Sequence, residues 1–469
     1  MAKKTTFAVL VGNRGFFPGH LCEEGRKTIL RVLDEQGYGA VCLTPNDTPY
    51  GSVVTRDHAR KWAALMQAHK ADIDGIIITL PNFGEERGIV EAIQMADLRV
   101  PILVQATPDT AGLMSIKDRR DSFCGKMSTC NNLTQYGIPF SLTERHTIDP
   151  ETPAFAADLS RFAATCRVVR GLRGARFGAI GARPAAFNTV RYSEKLLQAN
   201  GITVEVVDLS EIFGRIGKLD DNAATVQAKL AEIKDYIDVG RVPEKALIRM
   251  AKLGAVVGDW IEENEVVATA VQCWTSMEEF FGVVPCTVMS MLSNKLMPSA
   301  CEVDITGALG MYALTLASGE PAALVDWNNN YDDDPDKCVL FHCSNLPKGC
   351  MSHCCMSQQD IIGGAVGDEN AQGTVVGRIK SGEFTYCRVS TNDEMGTIDV
   401  YTGEGEFTDD PLETFGGAGV AYIPDLQGLL RYICENGYEH HVAVAHAPVA
   451  EALHDAMSNY LGWDVYLHG

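Results

Sequence analysis

The spacing of apolar and polar positions changes twice along this chain, and each texture predicts a different layer. Over residues 1–170, "TFAVLVG", "GAVCLT", "GIIITL" and "VPILVQA" are short, nearly continuous apolar runs, the pattern of strands buried on both faces. Between them, "EEGRKTILRVLDEQG" and "RDHARKWAALMQAHK" carry apolar residues at helical spacing. Such alternation predicts a parallel sheet flanked by helices, with the strand C-ends opening on a ligand crevice. A second unit of this kind, residues 171–320, opens at "GLRGARFGAIGARP" and runs strand, glycine turn, helix, strand. "GAIGARP" lacks the GxGxxG spacing of a dinucleotide loop and reads as a tight turn.

Residues 321–469 make a third unit. From about residue 360, short alternating runs separated by Gly, Ser and Asn-Asp signals predict an antiparallel sheet or small barrel. The tail "HHVAVAHAPVAEALHDAMSNYLG" returns to strand and then helix, with Pro448 suited to the first helical turn. The expected fold class is therefore α/β: two doubly wound parallel-sheet domains followed by a β-rich, barrel-like C-terminal domain.

Composition narrows the functions this fold can serve. With 469 residues, 46% hydrophobic and 22% charged, the chain can fill several cores. A net charge of -21 with no basic block excludes nucleic acid and anionic membrane surfaces as partners. The apolar run before Gly12 is too short for a signal-peptide core and reads as a first strand. No run approaches the roughly 18 apolar residues of a membrane span. Fifteen cysteines in such a chain point to reduced thiols in a cytoplasm. Cys338, Cys343, Cys350, Cys354 and Cys355 cluster with His342 and His353, but paired CxxC knuckles are missing, so free thiols are expected rather than zinc. "NNNYDDDPDK" lacks the Gly and Glu of an EF-hand and reads as a solvated acidic loop.

Candidate chemistry lies where the second and third units meet. "DITGALGMYALTLASGEP" predicts a helix capped by Asp304 and closed by Gly319, which puts Glu302 just before a helix N-terminus. "AALVDW" predicts a buried strand with Asp326 near its end. Both acids are thereby expected at one rim. There they can hold a hard divalent cation, act as a metal-free acid/base pair, or serve as polar end-groups. In "HHVAVAH", strand alternation puts His440 and His446 on one face and His441 on the other.

The run "CEVDITGAL…LVDWNNNYDD…LFHCSNLP…HHVAVAHAPVAEAL", with "RRDSFCGKMSTCNNLTQYGIPF" in the first half, resembles the L-fucose/L-arabinose isomerase family of metal-dependent aldose–ketose isomerases. The Glu-to-Asp interval is similar to that of the fucose isomerase branch. The resemblance implies one Mn²⁺, with Mg²⁺ or Co²⁺ as alternatives, held by Glu302, Asp326 and His441, with His342 as a further candidate ligand. It implies that Glu302 and Asp326 also move the proton between C2 and C1 through an enediolate. Substrate contacts are expected from Arg14, Trp327, Asn345 and His440. The expected partner, besides a monosaccharide, is a second copy of the chain: a trimer or hexamer in which a neighbouring subunit completes each site. Pentoses, 6-deoxyhexoses and C6-modified hexoses such as sulfoquinovose all fit, and an anionic sugar would call on cations such as Arg14, Arg183 or Arg191. A non-catalytic sugar-binding protein and a lyase or epimerase using the same enediolate are the alternatives.

Overall fold

The computed structural model describes residues 4–469. Two compact units divide the chain: residues up to Arg170 together with Asp455–Gly462, and Gly171–His454 together with Trp463–Gly469.

The first unit is built on five parallel strands, β1 (Thr6–Val11), β2 (Gly39–Cys42), β3 (Gly75–Leu80), β4 (Ile102–Ala106) and β5 (Ser141–Leu142), in the order β2-β1-β3-β4-β5. The apolar runs of the sequence are these strands. Along β1, Ala8 and Leu10 join one hydrophobic cluster while Phe7, Val9 and Val11 join another, so both faces of the sheet are buried. The helix Arg56–Ala68 shows how the cover is made: Thr55 caps it by accepting from His58 N, and Ala59, Trp62, Ala63 and Met66 form its buried stripe. Segment 455–462 returns to this unit, where Asp455 accepts from Ser141 Oγ at 2.6 Å.

The second unit contains two sheets. Four parallel strands, β6 (Arg176–Ile180), β7 (Thr203–Val207), β8 (Ala268–Val271) and β9 (Ser299–Ala300), lie in the order β7-β6-β8-β9. Nine more follow: β10 (Ala323–Tyr331), β11 (Asp334–His342), β12 (Met351–Gln358), β13 (Gln372–Ile379), β14 (Gly382–Asn392), β15 (Thr397–Thr408), β16 (Gly417–Tyr422), β17 (His441–Ala445) and β18 (Asp464–His468). Within them β16-β11-β10-β17-β14-β15 pair antiparallel, and β15 pairs back to β16. The result is a closed six-stranded barrel with β12–β13 and β18 added at its flanks. Closure removes the free edges that six antiparallel strands would otherwise expose.

The helix Ile305–Ser318 joins the two sheets. It packs against β6 and β8 and also against β14 and β17, which explains why eleven of its residues are buried and it has almost no polar face. Its ends are those expected from sequence: Asp304 caps the start, and Gly319 closes it in the left-handed region at φ 76°. Among the described residues, no helix is long and apolar enough to cross a membrane.

Candidate active site

Glu302 leaves β9 on a tight bend. It and Val303 both adopt left-handed backbone, at φ 55° and 58°, which costs non-glycine residues about 1–3 kcal/mol each. Hydrogen bonds from Val303 N to Val271 O and from Asp304 N to Cys301 O hold the bend. The carboxylate it presents is buried, 6% exposed. Its Oε1 accepts from Trp274 Nε1 at 3.1 Å, while Oε2 is buried without a hydrogen-bond partner.

Asp326 lies on β10 directly across from His441 on β17. Residues paired in this way point to the same face, so an acid and an imidazole meet as a consequence of strand register. His441 Nε2 is 3.4 Å from Asp326 Oδ1 and 3.9 Å from Glu302 Oε2. His342, at the end of β11, brings Nε2 to 4.0 Å from Glu302 Oε2, and His440 brings its own to 3.8 Å from Asp326 Oδ1. Asp326 Oδ1 is the second buried oxygen without a hydrogen-bond partner. Glu302, His342 and His441 each offer a ligand atom within 4.8 Å of one another, as do Asp326, His440 and His441. Most of these spacings exceed a hydrogen bond, yet ligands each about 2.1 Å from one ion stand about 3–4 Å apart. Two orphaned carboxylate oxygens facing imidazole nitrogens form a donor set suited to a divalent cation.

The His441 ring is fixed from behind. Its Nδ1 donates to Asp304 Oδ2 at 2.8 Å, leaving Nε2 as the free nitrogen toward the acids. Asp304 is fully buried, receives Arg388 through Nη1 at 2.6 Å and Nη2 at 3.1 Å, and caps the helix through Gly307 N. Arg388 in turn donates from Nε to Glu439. Burial opposes the Asp304 charge, but Arg388 and His441 outweigh it and hold the carboxyl well below its usual range. His342 moves the other way: burial opposes its proton, but Cys343, Asp326 and Glu302 push it up to about 10. Burial and the neighbouring His441 lower His440.

Phe187, on the loop after β6, closes one wall. Its ring centre lies 5.8 Å from that of Trp274, 5.5 Å from His440 and 5.6 Å from His441. Loops following β6, β8 and β9 thus converge on the acids, as expected beyond the C-terminal ends of parallel strands.

Several sequence expectations differ in detail. Asp326 is not at a strand end, because β10 runs on to Tyr331 in a hairpin with β11 whose exposed turn is the acidic loop. Trp327, the next residue on the strand, turns to the opposite face and donates to Tyr401 at 2.9 Å. Asn345 is buried and ties its loop to β9 through Ser299 O. Arg14, in the first unit, contacts Glu86 and Glu85, donates to Gly84 O and lies over the Phe83 ring. Arg183 bonds to the carbonyl of Pro184, and Arg191 follows the short turn Asn188–Val190. His440 precedes β17 rather than belonging to it, so the expected alternation does not reach it and it shares Asp326 with His441, while His446 bonds to Lys380 O. The 338–355 cysteines are free thiols distributed between core and surface.

Four residues at the site carry no functional signal in the sequence: Phe187, Glu439, Arg388, and Asp304 in any role beyond its cap. A lone arginine in "EFTYCRVS", an otherwise buried strand, was the available clue, because such a charge has to be paired.

Comparison with known proteins agrees with this architecture. Residues 8–173 match the family model described as fucose/sulfoquinovose isomerase, N-terminal domain, and residues 340–468 that described as L-fucose isomerase, C-terminal domain. A sulfoquinovose isomerase from Priestia aryabhattai is 24% identical over 385 residues, covering 81% of this chain and 82% of its own. Another, from Alkalicoccus urumqiensis, is 24% identical over 395 residues, covering 84% and 86%. The two family models together take in well over half of the chain, which belongs to the fucose isomerase family and is an aldose–ketose isomerase.

Proposed function

We propose that the enzyme uses one divalent cation, Mn²⁺ by preference, held by Glu302, Asp326 and His441 with His342 beside them, and that the reaction passes through an enediolate. The observation that carries this reading is the pair of buried, unpartnered oxygens, Glu302 Oε2 and Asp326 Oδ1, facing imidazole nitrogens. A cation bound there supplies positive charge against the negative charge that develops on the sugar oxygens. The chain's own residues supply the rest. Trp274 holds one Glu302 oxygen and leaves the other free. Asp304 keeps the His441 proton on Nδ1, so that Nε2 remains a ligand. Glu302 and Asp326 take the C2 proton and return it to C1. Phe187 and Trp274 offer apolar surface to a sugar ring and exclude water from it.

A hexose sulfonated at C6 is the proposed substrate, because the matched relatives are named sulfoquinovose isomerase. We place a neighbouring subunit at each site, with Arg14 as the residue it contributes. Support comes from the first unit, which exposes Phe16, Leu113, Met114, Ile116, Phe123 and Met127. The free thiols fit a reducing compartment such as the cytoplasm.

The test is NMR in D₂O with metal-free and Mn²⁺-loaded protein, over sulfoquinovose, 6-deoxyhexoses and pentoses. The reading expects a ketose carrying deuterium at C1, absent after chelation and restored by Mn²⁺. Turnover that persists in protein shown to hold no metal would sink the cation reading. Turnover of a pentose or 6-deoxyhexose but not of sulfoquinovose would sink the sulfonated-hexose reading.

A further inference from the structure

The loop that carries Glu302 also carries a second set of donors. β8 and β9 pair in parallel, Ala270 with Ala300, so the segments leaving them run side by side. Cys273 follows β8 and Cys301 follows β9, and both thiols are buried, at 3% and 0% exposure. Cys273 Sγ, Cys301 Sγ and a Glu302 carboxylate oxygen all lie within 4.8 Å of one another. Ligands about 2.0–2.3 Å from one tetrahedral ion stand about 3.3–3.8 Å apart, so side-chain movements of about 1 Å bring the three onto one cation. Buried free cysteines are usually small apolar fillers. Here the third member is a nine-tenths buried carboxylate with an unpartnered oxygen, and such a group has a use for a positive charge.

We propose that Cys273, Cys301 and Glu302 form a second cation site, selective for a thiophilic divalent ion of the zinc–cadmium class. Two sulfurs and one oxygen are a donor set that manganese and magnesium bind poorly and zinc and cadmium bind well. On binding, each thiol gives its proton to solvent as its sulfur–metal bond forms. Because Glu302 belongs to both donor sets, the thiophilic ion and the hard ion exclude one another. Zinc then acts as a reversible inhibitor at a place distinct from the Asp326 side of the site. The exclusion rests on the metal reading of Glu302 given above, whereas the binding does not.

Metal-free full-length protein is titrated with Cd²⁺ while the ultraviolet charge-transfer band of a cadmium thiolate is followed. We expect the wild type to develop the band at about one equivalent, and Cys273→Ala and Cys301→Ser each to weaken Cd²⁺ binding at least about tenfold, with Mn²⁺-supported turnover retained. A band that is absent from the wild type, or unchanged in both variants, overturns the site. A measurement without variants runs alongside: Cd²⁺ should shield Cys273 and Cys301 of the wild type from a thiol reagent in mild denaturant, while exposed Cys124, Cys355 and Cys434 stay reactive. Equal labelling with and without Cd²⁺ overturns it as well. Preloading with Mn²⁺ should raise the Cd²⁺ midpoint about tenfold or more by mass action. A midpoint indifferent to Mn²⁺, with the band intact, overturns the sharing of Glu302. The D₂O experiment fails or succeeds independently of the cadmium band and of the thiol shielding, whereas the Mn²⁺ competition stands or falls with Mn²⁺ binding itself.

Discussion

At Asp304 one side chain caps a helix, orients an imidazole and balances a buried guanidinium. Asp304→Asn should keep much of the cap but leave Arg388 short of charge and free the His441 ring to turn. The expected cost is about 3–5 kcal/mol of stability, as for a buried ion pair missing one partner, and a Mn²⁺ affinity lower by about 10–100-fold. Chemical denaturation and metal titration check the two separately. Because the folded carboxyl is held below its ordinary value, its contribution is complete above the unfolded pKa near about 4 and drains away as pH falls below it. At the reacting carbon, Glu302→Gln and Asp326→Asn should each lose turnover by about 10²-fold or more, together with metal. Full metal content and full turnover in both would return the acids to polar end-groups. Glu302, Asp326 and His441 were legible in the sequence as a family pattern. The aspartate behind the imidazole was legible only as a cap, because partners remote in sequence leave no local trace.

Strands place Asp326, His342, Arg388 and His441, while loops carry Glu302, Trp274 and Phe187. Strand alternation puts Asp326 and Trp327 on opposite faces, and register puts Asp326 opposite His441. The strand expected over "AALVDW" stops short of the real one, since the polar stretch "NNNY" looks like a loop whereas here it is the exposed half of a hairpin. The first turn of the helix Ile305–Ser318 has a constraint of its own. A Cβ on Gly307 would lie 2.5 Å from Asp304 Oδ2 and 3.1 Å from Arg388 Nη1, both held in a filled network. Gly307→Ala should therefore weaken Mn²⁺ binding, although alanine is the better helix former by about 1 kcal/mol. A variant with unchanged affinity and raised melting temperature would show that the network yields. Four apolar runs mark the first parallel sheet, and the strand–turn–helix–strand run marks β6 and β7. A small barrel is one reading of the later alternating runs. Which strands close it is not legible, because the pairing of β15 with β16 depends on strand twist rather than on residue pattern.

For the molecule as a whole, stability should depend on pH through a further buried acid, Glu278. Glu278 is fully buried with neither carboxylate oxygen bonded, and burial pushes it from 4.5 to about 8. A raised acid favours the fold while protonated, so its contribution is complete below about pH 4–5 and is lost as pH rises through about 8. Glu278→Gln should flatten the decline in melting temperature across that window, and an identical decline in both proteins would assign it to other groups. Assembly has its own assay. If the neighbouring subunit supplies Arg14, mixing inactive Arg14→Ala and Asp326→Asn proteins should recover about a quarter of wild-type activity by subunit exchange, for dimeric contacts drawn at random. No recovery after verified exchange would place Arg14 outside the reaction. The distance along the chain between His441 and Asp304, 137 positions, also governs time. Groups so remote must close a long loop before they can meet, a step whose entropy slows folding. A cation added during refolding should leave the folding rate unchanged and slow unfolding instead, acting as a latch on the finished barrel rather than as a nucleus for it.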